Sequence, residues 1–352
     1  IQTTDEDGHV GTVSYAIDNS NFKTTAIQMQ NAAVQLKSET FNNAEGKVTK
    51  SINFLNGQAL ETKFYYSSIG ELGAVMDPQG MVTAYSFDLA GRRISEYHPD
   101  HGSSTYEYDP AGNLIKLYTA NLQNDPNQPF IKYNYNYNRL TEVRFPDLPN
   151  GTNPSNVIYE YAGPGSGNNT GRIIYKKDNS TITLFDYGKI GEVIQEDKTV
   201  FGYNIPTMKF VTRYNYDSWN RIRRLIYPDG EILYYEYNLG GNLKRIVNDE
   251  NYEYVKNIEY DNYEQRTLME YGNDTKSEYT YLPTSRNLST HILEDNLNNQ
   301  LLNNNYTYDF VGNVTQQVNT AGFSPNNMGG YYEQGYGYDQ LNRLTFSNGA
   351  FN

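Results

Sequence analysis

A seven-residue pattern recurs along most of this chain and fixes what the chain can become. It runs aromatic, polar (often Asp or Asn), two variable residues, Gly or Asn, polar, then an aliphatic. It reads YSSIGEL from Tyr66, FDLAGRR from Phe87, YDPAGNL from Tyr108 and YGKIGEV from Tyr187. It continues as YDSWNRI from Tyr216, YNLGGNL from Tyr237, YDFVGNV from Tyr308 and YDQLNRL from Tyr338. Weaker copies start at Tyr135, Tyr161, Tyr260 and Tyr281, which makes twelve units whose anchors lie 21 to 30 residues apart. A further unit, FNNAEGKV, begins at Phe41. Recurrence at this spacing means a repeat architecture, in which each unit is one supersecondary element stacked on the next.

The unit has a mechanical reading. An Asp or Asn that opens a type I turn, with Gly or Asn three residues on, gives the three-residue hairpin loop that closes with a left-handed residue and a bulge. That position holds Gly70, Gly91, Gly112, Gly191, Asn220, Gly241, Gly312 and Asn342, eight of the twelve units. Pro110 and Pro283 follow the turn-opening position, where a fixed φ near −65° suits the turn. Aromatic pairs two residues apart precede it, as in Tyr85/Phe87, Tyr106/Tyr108, Tyr214/Tyr216 and Tyr306/Tyr308. Period two puts each pair on one face of a sheet. Second turns such as HPDHG (98–102) and YPDGE (227–231) separate the units, so each unit is two antiparallel strands. Helix signals are scarce, and the one candidate, 26–36, reads better as strand. The expected fold is all-β: a hairpin array forming one long antiparallel sheet. At about 4.8 Å per strand, some 24 strands span roughly 115 Å, and a strip that long should curl into a turn about 35 Å across, too wide for side chains to fill.

Composition narrows the function. The chain has 35 Tyr and 14 Phe but one Trp, Trp219, together with 44 Asn. A mean hydropathy of −0.75 would suggest disorder in a chain poor in aromatics. Here the tyrosines argue for half-buried, pleated surfaces instead. A net charge of −13 argues against nucleic acid and anionic lipid as partners. No apolar run approaches the roughly 20 residues of a membrane span. The absence of Cys excludes disulfides, thiolate nucleophiles and Cys-based zinc sites.

Chemical candidates are few. His98, Asp100 and His101 sit in one tight turn, where three ligands rarely converge on one ion; an exposed turn is the better reading. The stretch 163–168 (GPGSGN) lacks the spacing and the lysine of a phosphate loop and reads as a slack insertion between strands. Acidic pairs such as Glu192/Glu196 and Asp249/Glu250 do not stand out among 41 carboxylates, whose simplest role is to keep a long sheet soluble. No catalytic residue, metal site or cofactor is expected. Rows of tyrosine could serve as platforms for sugars, but cross-strand stacking already accounts for them.

The recurring Y-D-x-x-G/N-R/N-L with Y-x-Y before it, in stretches such as YDSWNRIRRLIYPDGE (216–231) and YTYDFVGNVTQQVN (306–319), resembles the YD repeats of the RHS family. That family includes Tc toxin C components, bacterial Rhs effectors, wall-associated proteins and teneurins. The resemblance implies a β-strip that spirals into part of a hollow shell, a β-cocoon, around the protein's own C-terminal toxin or effector. The aromatic anchors of the repeats would be Phe87, Tyr108, Tyr187, Tyr216, Tyr237, Tyr260, Tyr281, Tyr308 and Tyr338. Residues 1–40 would be a β-rich entry segment, 41–345 the array, and 346–352 a cut edge before a further C-terminal region. The implied protein is secreted or at the cell surface, is not itself an enzyme, and partners its own cargo and secretion machinery or other shell segments. The alternative is an adhesin that binds glycans or proteins through its tyrosine-rich faces.

Overall fold

The computed structural model describes residues 1–4, 10–124, 129–146, 156–202, 206–322 and 330–351. They form a single antiparallel sheet of 29 strands, in which pairing runs from each strand to its neighbours in sequence. The chain is thus an uninterrupted meander. Helical structure among the described residues is confined to a turn of helix at Ala120–Gln123 and a 3-10 turn at Gly167–Asn169. The stretch 26–36 is divided between the strands Asn21–Met29 and Gln35–Asn42.

The hairpins share one construction. Immediately before each of the twelve aromatic anchors the pairing register breaks by one residue, as between Asn215 (opposite Arg224) and Tyr216 (opposite Ile222). The same break precedes Asn42, so the unit at 41–48 is built alike, with Asn42 rather than Phe41 in the anchor place. A bulge bends its strand and increases the local twist. Repeated at the same end of every hairpin, it gives the whole strip a consistent bend.

All anchored turns lie along one edge of the strip, and the connecting turns lie along the other. The strip curls until these opposite edges meet. Gln30, in the connecting turn between Asn21–Met29 and Gln35–Asn42, accepts a hydrogen bond from the Phe310 backbone N–H at 2.9 Å. Its own amide donates to the Asp339 carbonyl at 3.1 Å. The Asn56 N–H, in the next connecting turn, donates to the Gln340 side chain. Twenty-three strands lie between Gln30 and Phe310. At about 4.8 Å each, one turn of the spiral is roughly 110 Å around and about 35 Å across, the size expected from the repeat count.

Among the described residues nothing packs against the sheet as a second layer. The accessible surface is 21795 Å², whereas a compact globule of 40.3 kDa would expose about 14,500 Å². Among the described residues only eight apolar side chains are buried, including Leu225, Leu233, Val255 and Ile258. These four sit on the face that carries the anchor tyrosines, where Leu225 lies opposite Leu233.

Candidate functional site

The anchored turn is the element that organises the molecule. In the turn at 217–221, the Asp217 N–H donates to the Arg221 carbonyl and the Asn220 N–H returns to the Asp217 carbonyl, at 2.9 and 3.1 Å. The Asp217 carboxylate accepts the N–H groups of Trp219 and Arg221 through one oxygen and the Arg221 guanidinium through the other. Asp88, Asp109, Asp309 and Asp339 repeat this arrangement, with Arg92, Asn113, Asn313 and Arg343 in the place of Arg221. Backbone N–H donors hold the carboxyls of Asp88 and Asp217 below the usual range, and the Asn113 side-chain amide does so for Asp109. A carboxylate is used because it accepts from the backbone and the side chain at once.

The eight Gly and Asn turn positions, Gly70 through Asn342, all have φ between 57° and 95°. Two weaker copies use residues that sequence reasoning would not choose: Glu264 at φ 62° and Arg286 at φ 58°. The copy at Tyr135 is a tighter loop with Tyr137 and Asn138 left-handed. The glycine-rich 163–168 stretch is not slack. Asn169 ties it to the next unit by accepting the Tyr187 N–H and donating to Asp186, both at 2.9 Å.

Nine of the twelve units are fastened to the one before by the anchor hydroxyl. The Tyr237 hydroxyl donates to the Ile222 carbonyl at 2.7 Å, just past the preceding turn. Tyr66, Tyr108, Tyr187, Tyr216, Tyr260, Tyr281, Tyr308 and Tyr338 make the equivalent bond at 2.7 to 3.0 Å. Phe87 fills the same place without a hydroxyl. The turn cation then reaches forward: Arg221 lies 4.1 Å from the Tyr237 ring centre and donates to the Gly241 carbonyl. Arg92 does the same with Tyr108 and the Asp109 carbonyl. Asn113 and Asn313 bridge instead to the Asn138 and Asn342 side chains of the following turns. Sequence reasoning took the aromatic pairs as ring stacks and missed the hydroxyl bonds.

The two faces of the strip differ. Alternate with the half-buried anchors stand exposed Ser86, Glu107, Glu160, Asn215, Glu236 and Glu259. The same face is laced by ion pairs such as Lys116–Glu107, Lys209–Asp197 and Arg245 with Glu236 and Glu253. On the tyrosine face, towards the C-terminal end, lies a polar chain. The buried Ser277 meets Tyr271 and His291, whose ring stacks on Tyr279 at 4.6 Å. Asn304 links Tyr306 to Tyr332, and Gln317 donates to Tyr332 at 2.7 Å. Burial, with Arg266 nearby, pushes the His291 pKa down.

The other candidates stay apart. His98 and His101 stack face to face at 4.2 Å in their turn, and His98 accepts the Asp100 N–H. Among the described residues no group of three His, Asp or Glu is placed to hold a metal ion, and no helix is long and apolar enough to cross a membrane. Glu192 accepts the Ile190 N–H in its turn, while Glu196 lies opposite Phe185 in the strand.

Comparison with known proteins meets this geometry directly. The crystal structure of TcdB2-TccC3-TEV superposes with a TM-score of 0.82 over 99% of this chain. The fold is that of the RHS shells of Tc toxins. The Photorhabdus luminescens Tc holotoxin pore matches the same share at TM-score 0.81, and the TcdB2-TccC3-Cdc42 crystal structure matches 97% at 0.78. All three are 18% identical in sequence, so the likeness is one of fold, and the chain spans only 18 to 19% of their length. Among curated proteins, the toxin protein Tse5 of Pseudomonas aeruginosa is 27% identical over 88 residues, 25% of this chain and 7% of Tse5. No family model matches the chain. The anchored hairpin is therefore the local device of a strip that shares the fold of these shells.

Proposed function

We propose that this chain is a non-catalytic segment of the shell of a secreted bacterial RHS-type protein, which encloses or scaffolds a toxin or effector segment lying C-terminal to it until delivery. The observation that carries this reading is the curl: a strip whose opposite edges meet after 23 strands, a turn roughly 35 Å across. A curled sheet crowds side chains on its concave face and spreads them on its convex face. The half-buried tyrosines and the exposed carboxylates fit a strip that bends towards its tyrosines. Phenol rings, Ser277, Asn304 and Gln317 would then line the space with many weak donors and acceptors, a surface that can hold an unfolded polypeptide without fixing one conformation.

Limited proteolysis of the native parent protein, with mass spectrometry of what survives, tests this. A segment from beyond Asn352 should resist digestion while the shell is intact and be cut once it is denatured. If that segment is digested at once, containment fails. A second reading, an adhesin, draws on exposed Tyr234, Tyr252 and Tyr254, two of which form an edge-to-face pair at 5.0 Å. Glycan binding that is lost on Tyr234→Ala would move the conclusion there.

A further inference from the structure

Among the described histidines, His98 and His101 share a turn, whereas His291 stands mid-strand in Leu288–Glu294. It lies opposite Tyr279 on one side and the buried Asn304 on the other. Its ring rests flat on Tyr279, 4.6 Å away and 5° from parallel. Its Nε2 lies 3.3 Å from the Oγ of buried Ser277, and that Oγ lies 3.4 Å from the Tyr271 hydroxyl. One half-buried imidazole thus ties Leu288–Glu294 to Lys276–Tyr281, and through Ser277 to Arg266–Tyr271.

These surroundings suit a neutral ring. A neutral imidazole carries one N–H, and Ser277 serves it at Nε2. An imidazolium carries two, and Nδ1 has no hydrogen-bond partner among the described residues. The ionisable groups that face His291 are Tyr279 from Lys276–Tyr281 and Arg266 and Tyr271 from Arg266–Tyr271. Across Asn304 stand Tyr306 and Tyr332. The carboxylates of these strands, Glu270, Glu278 and Glu294, stand on the other face around Lys276. The Arg266 guanidinium, 5.4 Å from the centre of the Tyr279 ring, donates to Met269 Sδ and pairs with no carboxylate among the described residues. A charge on His291 would join this unpaired cation with no anion to offset either.

We propose that His291 is an acid-released latch: its neutral ring clamps Leu288–Glu294 to the neighbouring strands, and mild acid, by charging the ring, loosens this joint while the rest of the sheet stays paired. Burial and Arg266 lower the His291 pKa from the ordinary histidine value. The folded chain therefore binds the proton less well than the unfolded chain. The contribution of the latch is complete above about pH 6.5 and is lost as pH falls through the lowered value. The following strand, Gln300–Tyr308, leads straight into the turn whose Phe310 N–H meets Gln30, so the joint that acid loosens lies beside the seam.

Native-state hydrogen exchange of the 352-residue chain at about pH 7.5 and about pH 5.5, corrected for the intrinsic rate at each pH, reads the latch. Protection of the ladder amides joining Lys276–Tyr281 to Leu288–Glu294 should drop several-fold, and by at most about tenfold one pH unit below the unfolded value. The joint between Ile222–Ile226 and Ile232–Tyr237, which contains no histidine, should change little. His291→Gln should abolish the drop. In the unaltered chain the His291 imidazole resonance should titrate below about pH 6.5. No drop at the His291 joint, an equal drop at both joints, a drop that survives His291→Gln, or a titration at or above the ordinary histidine value would each overturn the latch.

Discussion

If the tyrosine hydroxyls fasten each hairpin to the one before, removing one should loosen a single joint. Tyr237→Phe keeps the ring under Arg221 and deletes only the 2.7 Å bond to the Ile222 carbonyl. A hydrogen bond of this kind contributes about 1 kcal/mol net. In an array stabilised by nearest-neighbour contacts, that loss stays local. The assay is native-state hydrogen exchange at the ladder amides joining the strands Ile222–Ile226 and Ile232–Tyr237. A loss of about 1 kcal/mol should speed their exchange roughly fivefold while distant strands such as Thr181–Tyr187 keep their protection. The chain contains the reverse experiment. Phe87 stands where a tyrosine would reach the Leu72 carbonyl, the residue equivalent to Ile222 in the preceding unit. Phe87→Tyr should therefore slow exchange across that joint by a similar factor. Unchanged exchange in Tyr237→Phe, or faster exchange in Phe87→Tyr, would refute the fastening argument.

Four other outcomes follow from the same geometry. Burial holds Tyr187, Tyr216, Tyr237, Tyr260, Tyr281 and Tyr308 protonated above the usual tyrosine range, so their folded pKa values exceed the unfolded ones. Their contribution is complete below about pH 10 and is lost as pH rises through the raised values; phenolate absorbance and loss of the β circular dichroism should rise together in alkali, and ionisation with the sheet intact would contradict this. Asp88, Asp109 and Asp217 have lowered pKa values, so their contribution is present above about pH 4 and is lost as pH falls through the lowered values. Asp217→Asn should flatten that acid limb in a stability-versus-pH curve. Gly112→Ala should cost about 1 to 2 kcal/mol in denaturant titration purely through its φ of +89°, because an added methyl would meet nothing within 4 Å. Glu264→Asn should gain a few tenths of a kcal/mol, since asparagine tolerates the left-handed backbone that Glu264 adopts at φ 62°.

What was legible in the sequence is what depends on neighbours a few residues apart. The spacing of Asp217, Asn220 and Ile222 suffices to read a three-residue loop with a bulge, because turn chemistry is local. Glu264 and Arg286 escaped because their left-handed backbone is imposed by the register of the flanking strands, and neither residue type signals it. The hydroxyl bonds left a signal that composition alone did not explain: eleven of the twelve anchors are Tyr rather than Phe, a bias that ring stacking would not produce. The seam left none. Gln30 and Asp339 stand 309 residues apart, and their meeting is the sum of bends at a dozen bulges, each too small to read by itself.

These observations bear on why a sheet with one layer holds together. A globular sheet is stabilised by burying a face against a second element, and this strip buries only eight apolar side chains among its described residues. Its cohesion comes instead from a chain of small fastenings: carboxylate to turn, arginine to the next ring, hydroxyl to the previous carbonyl. The first closes each turn, the other two connect adjacent units, and none requires anything within the curl. Stability that is a sum of nearest-neighbour terms does not depend on what the strip surrounds. If the proposed containment holds, such a wall takes contents of any sequence that fits, and replacing them should leave its melting unchanged. A packed core could not do this, because changing what fills it changes its stability directly.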